Sequence, residues 1–193
     1  DHKKLELAQK YFKKPIINAL SDISHPCQAI SDIYTLKEIF GTVDDLNIVW
    51  MGDMNNVLFS LIEAFNFLNN SKIDVFTDKK IFEKNKNQFN FSKKVKYHFE
   101  LNKNIISSAH CIMTDVFTSM NDKENKETLL SKFQVNRNLM DLTNKNAIFM
   151  HCLPAKIGSE VTEEVIKGEK SIVIKQAKNK LVAQRGILKW LNT

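Results

Sequence analysis

The chain has 193 residues, enough for one generous domain or two small ones around a buried core. Hydrophobic residues make up 43% and charged residues 26%, the balance of a soluble globular protein, and no apolar run approaches the roughly 20 residues that cross a bilayer. The formal charge of +6 raises nucleic-acid binding as a class. Against it, the lysines are scattered in short pairs, Lys3-Lys4, Lys13-Lys14, Lys79-Lys80 and Lys93-Lys94, with no dense basic run interleaved with aromatics. A solvated surface is expected, with a positive field that also suits an anionic ligand. Cys27, Cys111 and Cys152 are odd in number, far apart and without a C-x-x-C pair, which argues against a disulfide framework and a zinc site and for a reducing compartment. The opening Asp1-His2-Lys3-Lys4 has neither an initiator Met nor the layout of a signal peptide, so a start mid-protein or after processing is expected.

In chain order, Leu5 to Leu20 reads as a helix and then a strand at the β-branched Ile16-Ile17. His25 to Phe40 carries Ala29, Ile30, Ile33, Leu36 and Ile39 on one helical face and stops at Gly41, a residue suited to the left-handed helix end. Asn47 to Gly52, Lys72 to Thr77, Ile112 to Val116 and Ala147 to Cys152 are short apolar runs of the kind buried in parallel sheets. Helical spacing fills Asn56 to Asn69, Lys123 to Phe133 and Ser159 to Lys167, and Gln176 to Leu191 closes the chain as a helix. Lys79 to Asn104, heavy in Lys, Asn and Phe, fits helix and loop equally. Alternating strand and helix predicts an α/β fold: a doubly wound, Rossmann-like parallel sheet flanked by helices, with a further helix near each end.

Ligands of open α/β sheets bind beyond the carboxyl ends of the strands. Three such ends carry Gly52-Asp53-Met54-Asn55-Asn56, Asp115-Val116-Phe117-Thr118-Ser119-Met120 and His151-Cys152-Leu153-Pro154. They bring amide, carboxylate, hydroxyl and thiol groups to one crevice. No G-x-G-x-x-G follows the first strand and no G-x-x-x-x-G-K-[ST] occurs, which lowers the case for a nucleotide cofactor.

Four segments, in order, resemble motifs of the aspartate/ornithine carbamoyltransferase superfamily. His25-Pro26-Cys27-Gln28 looks like its H-P-x-Q element and Gly52-Asp53-Met54-Asn55-Asn56 its G-D-x-N-N turn. Asp115-Val116-Phe117-Thr118-Ser119-Met120 is similar to the D-x-W-x-S-M-G loop of the ornithine branch, and His151-Cys152-Leu153-Pro154 to its H-C-L-P. The resemblance covers essentially the whole chain. It implies transfer of the carbamoyl group of carbamoyl phosphate to the δ-amine of L-ornithine, giving citrulline and phosphate, a step of arginine biosynthesis. It also implies a homotrimer in the full-length form; no cofactor, metal, nucleic-acid or membrane partner is expected, and the Asn- and Lys-heavy composition leans towards a cytoplasmic setting. A branch using aspartate, putrescine or N-acetylornithine is the nearest rival, and a non-catalytic paralogue the next.

The reaction needs donors for a developing oxyanion, positive charge for the phosphate and a way to hold and deprotonate an amine. By resemblance, His25 and Gln28 contact the carbamoyl group, and Pro26 and Cys27 belong to the same carbamoyl-phosphate element, the Cys27 side chain itself being read as packing. Asn56, Asp115, Ser119 and Met120 form the ornithine clamp, Asp115 taking the α-ammonium. Asn56 is preferred to Asn55 on register. Cys152 lies beside the reacting amine as a thiol or thiolate, and Leu153 offers its backbone carbonyl. Cys111 reads as core.

Three departures stand out. Asn121 replaces the glycine of S-M-G, and Phe117 replaces the tryptophan of D-x-W. Gln176-Ala177-Lys178-Asn179-Lys180 stands where the family reads E-A-x-N-R, which puts Lys180 at the phosphate-binding arginine; lysine keeps the charge and loses the bidentate fork. The family's S-T-R-T phosphate loop has no counterpart here. The expected division is 1–24 as a remnant of the carbamoyl-phosphate domain, 25–41 an interdomain helix, 42–174 the ornithine-binding domain and 175–193 a returning helix. The chain is then a fragment, one part of a split enzyme or a degenerate copy.

Overall fold

The computed structural model describes residues 1–89, 92–119, 122 and 124–192. Four of the apolar runs become β1 (Asn47–Met51), β2 (Lys72–Phe76), β4 (Cys111–Thr114) and β5 (Ile148–His151), joined by β3 (Val95–His98). All pair in parallel, in the order β3-β2-β1-β4-β5. The chain builds outward from β1 through β2 to β3, then returns to the other side of β1 for β4 and β5. That reversal opens a crevice beyond the carboxyl ends of β1 and β4, the switch point where doubly wound sheets bind ligands.

Both faces of the sheet are covered, so the central strands carry apolar residues continuously rather than alternately. Ile48, Trp50, Met51, Ile73, Phe76, Ile112 and Phe149 are buried. The sheet packs against α3 (Asn56–Phe65), whose Leu58, Leu61, Ile62 and Phe65 are fully enclosed. Each is worth about 1.5–3 kcal/mol of transfer free energy. On the edges and loops lie α4 (Lys79–Phe89), α5 (Lys103–Ser107), α6 (Glu127–Leu130) with a 3-10 turn at Ser131–Phe133, α7 (Arg137–Asp141) and α8 (Glu163–Ile166).

Two longer helices frame this unit. In α2 (Pro26–Phe40), Pro26 occupies the first turn, where its missing N–H costs nothing, and Gly41 ends the helix at φ 75° with its N–H on the Lys37 carbonyl. The closing helix α9 (Val173–Leu191) packs on α2, and Asn179 Nδ2 donates to Thr35 Oγ1 at 3.0 Å and Glu38 Oε2 at 2.7 Å. Their outer faces stay apolar: Ile30, Leu181, Val182 and Trp190 are exposed, beside a groove of about 460 Å³ lined in part by Tyr34 and Ala183. The first helix, α1 (His2–Gln9), buries none of its residues. Among the described residues no helix is long and apolar enough to cross a membrane.

Several element boundaries differ from expectation. Ile16-Ile17 forms no strand, and the backbone N–H of Ile16 bonds the Gln9 side chain. Of the helix expected over Lys123 to Phe133, Lys123 lies outside the described residues; α6 begins at Glu127 and gives way to the 3-10 turn, the Lys126 side chain being held by Asp53 and Asp122. The helix expected from Ser159 begins only at Glu163, because Glu160 and Val161 are used in backbone pairing with Val135 and Gly158. The Asn56 helix stops at Phe65, and the last helix starts three residues before Gln176, at Val173. The indeterminate Lys79 to Asn104 stretch holds α4, β3 and the start of α5.

Candidate active site

The switch-point crevice is built around Asp115, which follows β4 and is 8% exposed. Its Oδ2 accepts from Asn55 Nδ2 at 2.7 Å and its Oδ1 from the Cys152 thiol at 3.0 Å. Asn55 caps α3, its Oδ1 taking the N–H groups of Val57 and Leu58 at 3.1 Å. Burial first, then the Asp115 carboxylate, push the Cys152 thiol well above its ordinary range. Of the two forms expected, the structure therefore favours the protonated thiol, which acts as a donor, while Asp115 is the acceptor of the pair.

The turn after β5 is held by a buried chain. Leu153 sits at φ 56°, a conformation costly for a branched residue. Its N–H donates to His151 Nδ1 at 2.9 Å, so the His151 proton lies on Nε2 and faces Glu160 Oε1 at 3.1 Å. Lys180 Nζ donates to the Cys152 carbonyl at 2.6 Å.

On α2, His25 is the N-cap, its backbone N–H bonds Ser60 Oγ at 2.8 Å and its Nδ1 has no partner among the described residues. Burial lowers its pKa, and the nearby Lys180 lowers it further, against a backbone hydrogen bond to Ala19 and the pull of Asp115. A neutral ring results, within electrostatic reach of Lys180 and Asp115. One turn on, Gln28 is 1% exposed; its Nε2 donates to Asp32 Oδ1 at 2.8 Å and its Oε1 is unpartnered among the described residues. Pro26 and Cys27 lie on the same turn, the latter buried with its thiol on the Asn18 carbonyl at 3.5 Å. Cys111 is fully enclosed in β4.

The structure thus brings Asp115, Cys152, Lys180 and the His25 ring into one electrostatic neighbourhood. Asn56 is not bonded to Asp115: its Nδ2 donates to the Ser21 carbonyl at 2.6 Å, and Asn55 makes the contact instead. Ser119 is partly buried, and its N–H donates to Asp122 Oδ2 at 2.7 Å. Met120 and Asn121 lie outside the described residues. An oxygen of Asp115, a nitrogen of His151 and the Cys152 sulfur fall within 4.8 Å of one another, donor types that hold zinc. Both His151 nitrogens are already engaged, so a metal would have to break one of those bonds.

Three groups escaped the sequence reading. Asp32 lies four residues after Gln28 on the same helical face, a spacing that was there to be read. Gln176 was read only as the first position of the segment matching E-A-x-N-R; its link from Asp32 to β5 across the chain left no local signal. Lys126 reaches Asp53 at 2.8 Å and Asp122 at 3.0 Å, anchoring the Ser119 segment to the turn after β1. Burial pushes Asp53 up to about 6, opposed by Lys126.

A doubly wound sheet with an acid, a thiol and an amide at its switch point defines a small-molecule site of the α/β class. Residues 44–191 match the family model for the Asp/Orn-binding domain of aspartate/ornithine carbamoyltransferases, and residues 1–38 match the carbamoyl-P-binding domain of the same proteins. The chain belongs to the aspartate/ornithine carbamoyltransferase family. It is 41% identical over 191 residues to an ornithine carbamoyltransferase of Rhodopseudomonas palustris, covering 91% of this chain and 58% of that protein. Against the Rhizobium meliloti ornithine carbamoyltransferase the figures are 38% over 195 residues, 98% and 64%. The crystal structure of the Thermus thermophilus ornithine carbamoyltransferase superposes with a TM-score of 0.83 at 35% identity, over 98% of this chain and 63% of that one. The chain therefore spans about three fifths of the length of these relatives.

Proposed function

We propose that this chain supplies the ornithine-binding half of an ornithine carbamoyltransferase, together with part of its carbamoyl-phosphate site. The observation that carries the reading is the Asp115–Cys152 pair, 3.0 Å apart at the switch point. An amino acid entering there meets the Asp115 side chain for its α-ammonium, and the Cys152 sulfur is placed to accept a hydrogen bond from the N–H of the incoming amine, leaving the nitrogen lone pair free to attack. Asn55 has both side-chain atoms engaged, so Asn56, held by one carbonyl among the described residues, is the amide free to turn to the α-carboxylate. Ser119 and Met120 complete the clamp. Cys152 does not form a covalent intermediate, since the amine itself attacks the carbamoyl carbon.

His25 and Gln28 contact the carbamoyl group, with Pro26 and Cys27 shaping their turn and the Leu153 carbonyl accepting from the carbamoyl amide. Lys180 leaves the Cys152 carbonyl to meet the phosphate. A single lysine binds phosphate more weakly than the arginine fork, so further phosphate donors come from outside these residues. Residues 1–24 and 175–193 then belong with the carbamoyl-phosphate half, 25–41 bridges the two, 42–174 binds ornithine, and the exposed apolar face of α2 and α9 packs against that half. The full protein acts as a cytoplasmic homotrimer in arginine biosynthesis. A second reading, a non-catalytic relative, draws on Lys180 being bonded to backbone.

The test is citrulline formation from ornithine and carbamoyl phosphate. The 193-residue chain alone should give negligible turnover, and the chain joined to the carbamoyl-phosphate half of a relative should give citrulline that Asp115→Asn abolishes. Robust turnover by the chain alone overturns the need for outside donors. A folded joined protein that makes no citrulline overturns the transferase reading in favour of the second.

A further inference from the structure

Asp32 is fully enclosed in the middle of α2 and has no cation bonded to it among the described residues. Its Oδ1 accepts two amide donors, Gln28 Nε2 at 2.8 Å and Gln176 Nε2 at 2.7 Å, while its Oδ2 has no partner among the described residues. The other end of Gln176 is also engaged: its Oε1 accepts the backbone N–H of His151 at 2.9 Å, one residue before Cys152. One carboxyl therefore fixes the amide orientation of Gln28 on α2 and of Gln176 on α9, and through the latter the end of β5. With its nitrogen held, Gln28 turns its unpartnered Oε1 away from Asp32. A buried acid of this kind costs stability, and an apolar residue of similar size would pack without that cost. What the acid adds is geometry.

We infer that Asp32 is a positioning residue for carbamoyl transfer, holding Gln28 and, through Gln176, the His151–Cys152 turn as one hydrogen-bonded unit that presents the Gln28 carbonyl oxygen to the carbamoyl amide. The inference rests on the transferase reading for its ligand, and on geometry alone for the unit itself. The glutamine at 176 fits the role. A glutamate there would set a second carboxyl against Asp32 and need a shared proton, whereas the amide supplies a permanent N–H to Asp32 and a permanent acceptor for His151. The ionisable groups facing Asp32 are Lys180 on α9, Asp115 beyond β4, Cys152 beyond β5 and Cys111 within β4. Burial pushes Asp32 up to about 7, which gives the unit a titration that can be followed.

The experiment is a pH series of nitrogen–proton NMR spectra on the 193-residue chain. The side-chain amides of Gln28 and Gln176 and the backbone amide of His151 should shift together with one midpoint near 7. Asp32→Asn, which keeps an acceptor oxygen but cannot ionise, should abolish that shared titration and keep both side-chain amides in place. Asp32→Val should release Gln28; if that variant does not fold, the Asn variant alone decides. Separate midpoints, or a shared titration that survives Asp32→Asn, overturn the inference. Carbamoyl phosphate at millimolar concentration should then move the Gln28 amide in the wild type and in Asp32→Asn but not in Asp32→Val. A shift in the folded Val variant also overturns the positioning role. No shift in any of them, with the shared titration intact, counts against the transferase reading and not against the unit.

Discussion

Asp115 takes two donors at once, an amide from the cap of α3 and the thiol at the end of β5, and this convergence sets the chemistry of the crevice. The acid was legible in the sequence through its motif, but its hydrogen-bond partners were not, because register alone cannot tell which of two adjacent asparagines bonds Asp115. The N-cap decided it: capping points the Asn55 side chain along the helix start, where Asp115 lies. Asp32 was legible only in part: its spacing from Gln28 was there to be read, but its second donor was not. Its environment is made by Gln176, 144 residues away, and no local pattern announces a contact at that separation. The same burial makes a stability prediction. A carboxyl raised from 3.8 to about 7 on folding is favourable while protonated, so the folded state binds its proton more tightly than the unfolded state. Its contribution is fully present below about pH 4 and is lost as pH rises through 7. In urea unfolding, wild type should lose on the order of 4 kcal/mol relative to Asp32→Asn between pH 4 and 8. A difference between the two that does not change with pH would contradict this account of Asp32.

At the scale of elements, the strands buried on both faces were readable because continuous β-branched and aromatic runs have few other uses in a chain of this kind. β3 was hidden because Val95–His98 is a half-exposed edge strand between charged segments. Ile16-Ile17 misled because β-branching reports fitness for a sheet, and no strand among the described residues pairs with it. Helix starts were set too early wherever side chains or backbone were diverted into loops, as with Lys126 and Glu160. The turn after β1 shows how tightly such a junction is built. Gly52 takes φ 121°, and a methyl group there would stand 2.7 Å from the Phe117 ring, which is itself buried. Gly52→Ala should destabilise the fold by about 2–4 kcal/mol, combining backbone strain with overpacking. Adding Phe117→Leu should recover the packing part and leave the strain. Unfolding curves that coincide for wild type and Gly52→Ala would refute this picture of the turn.

At the scale of the molecule, the chain presents one complete α/β unit and an apolar surface on α2 and α9 that this unit does not cover. The fold class followed from the strand and helix alternation. The expectation of further phosphate donors rests on the family resemblance alone, since no physical rule demands a phosphate loop. Within the unit, the central claim is that His25, Asp115 and Cys152 face a single cavity that admits an amino acid. Thiol labelling tests it directly, because Cys27 and Cys111 are buried and Cys152 is the more accessible of the three. Ornithine at tens of millimolar, with carbamoyl phosphate present, should slow alkylation of Cys152 several-fold, and Asp115→Asn should remove that protection. Cys152 labelling that proceeds at the same rate with and without ornithine, in a chain whose other two thiols stay protected, would contradict the account.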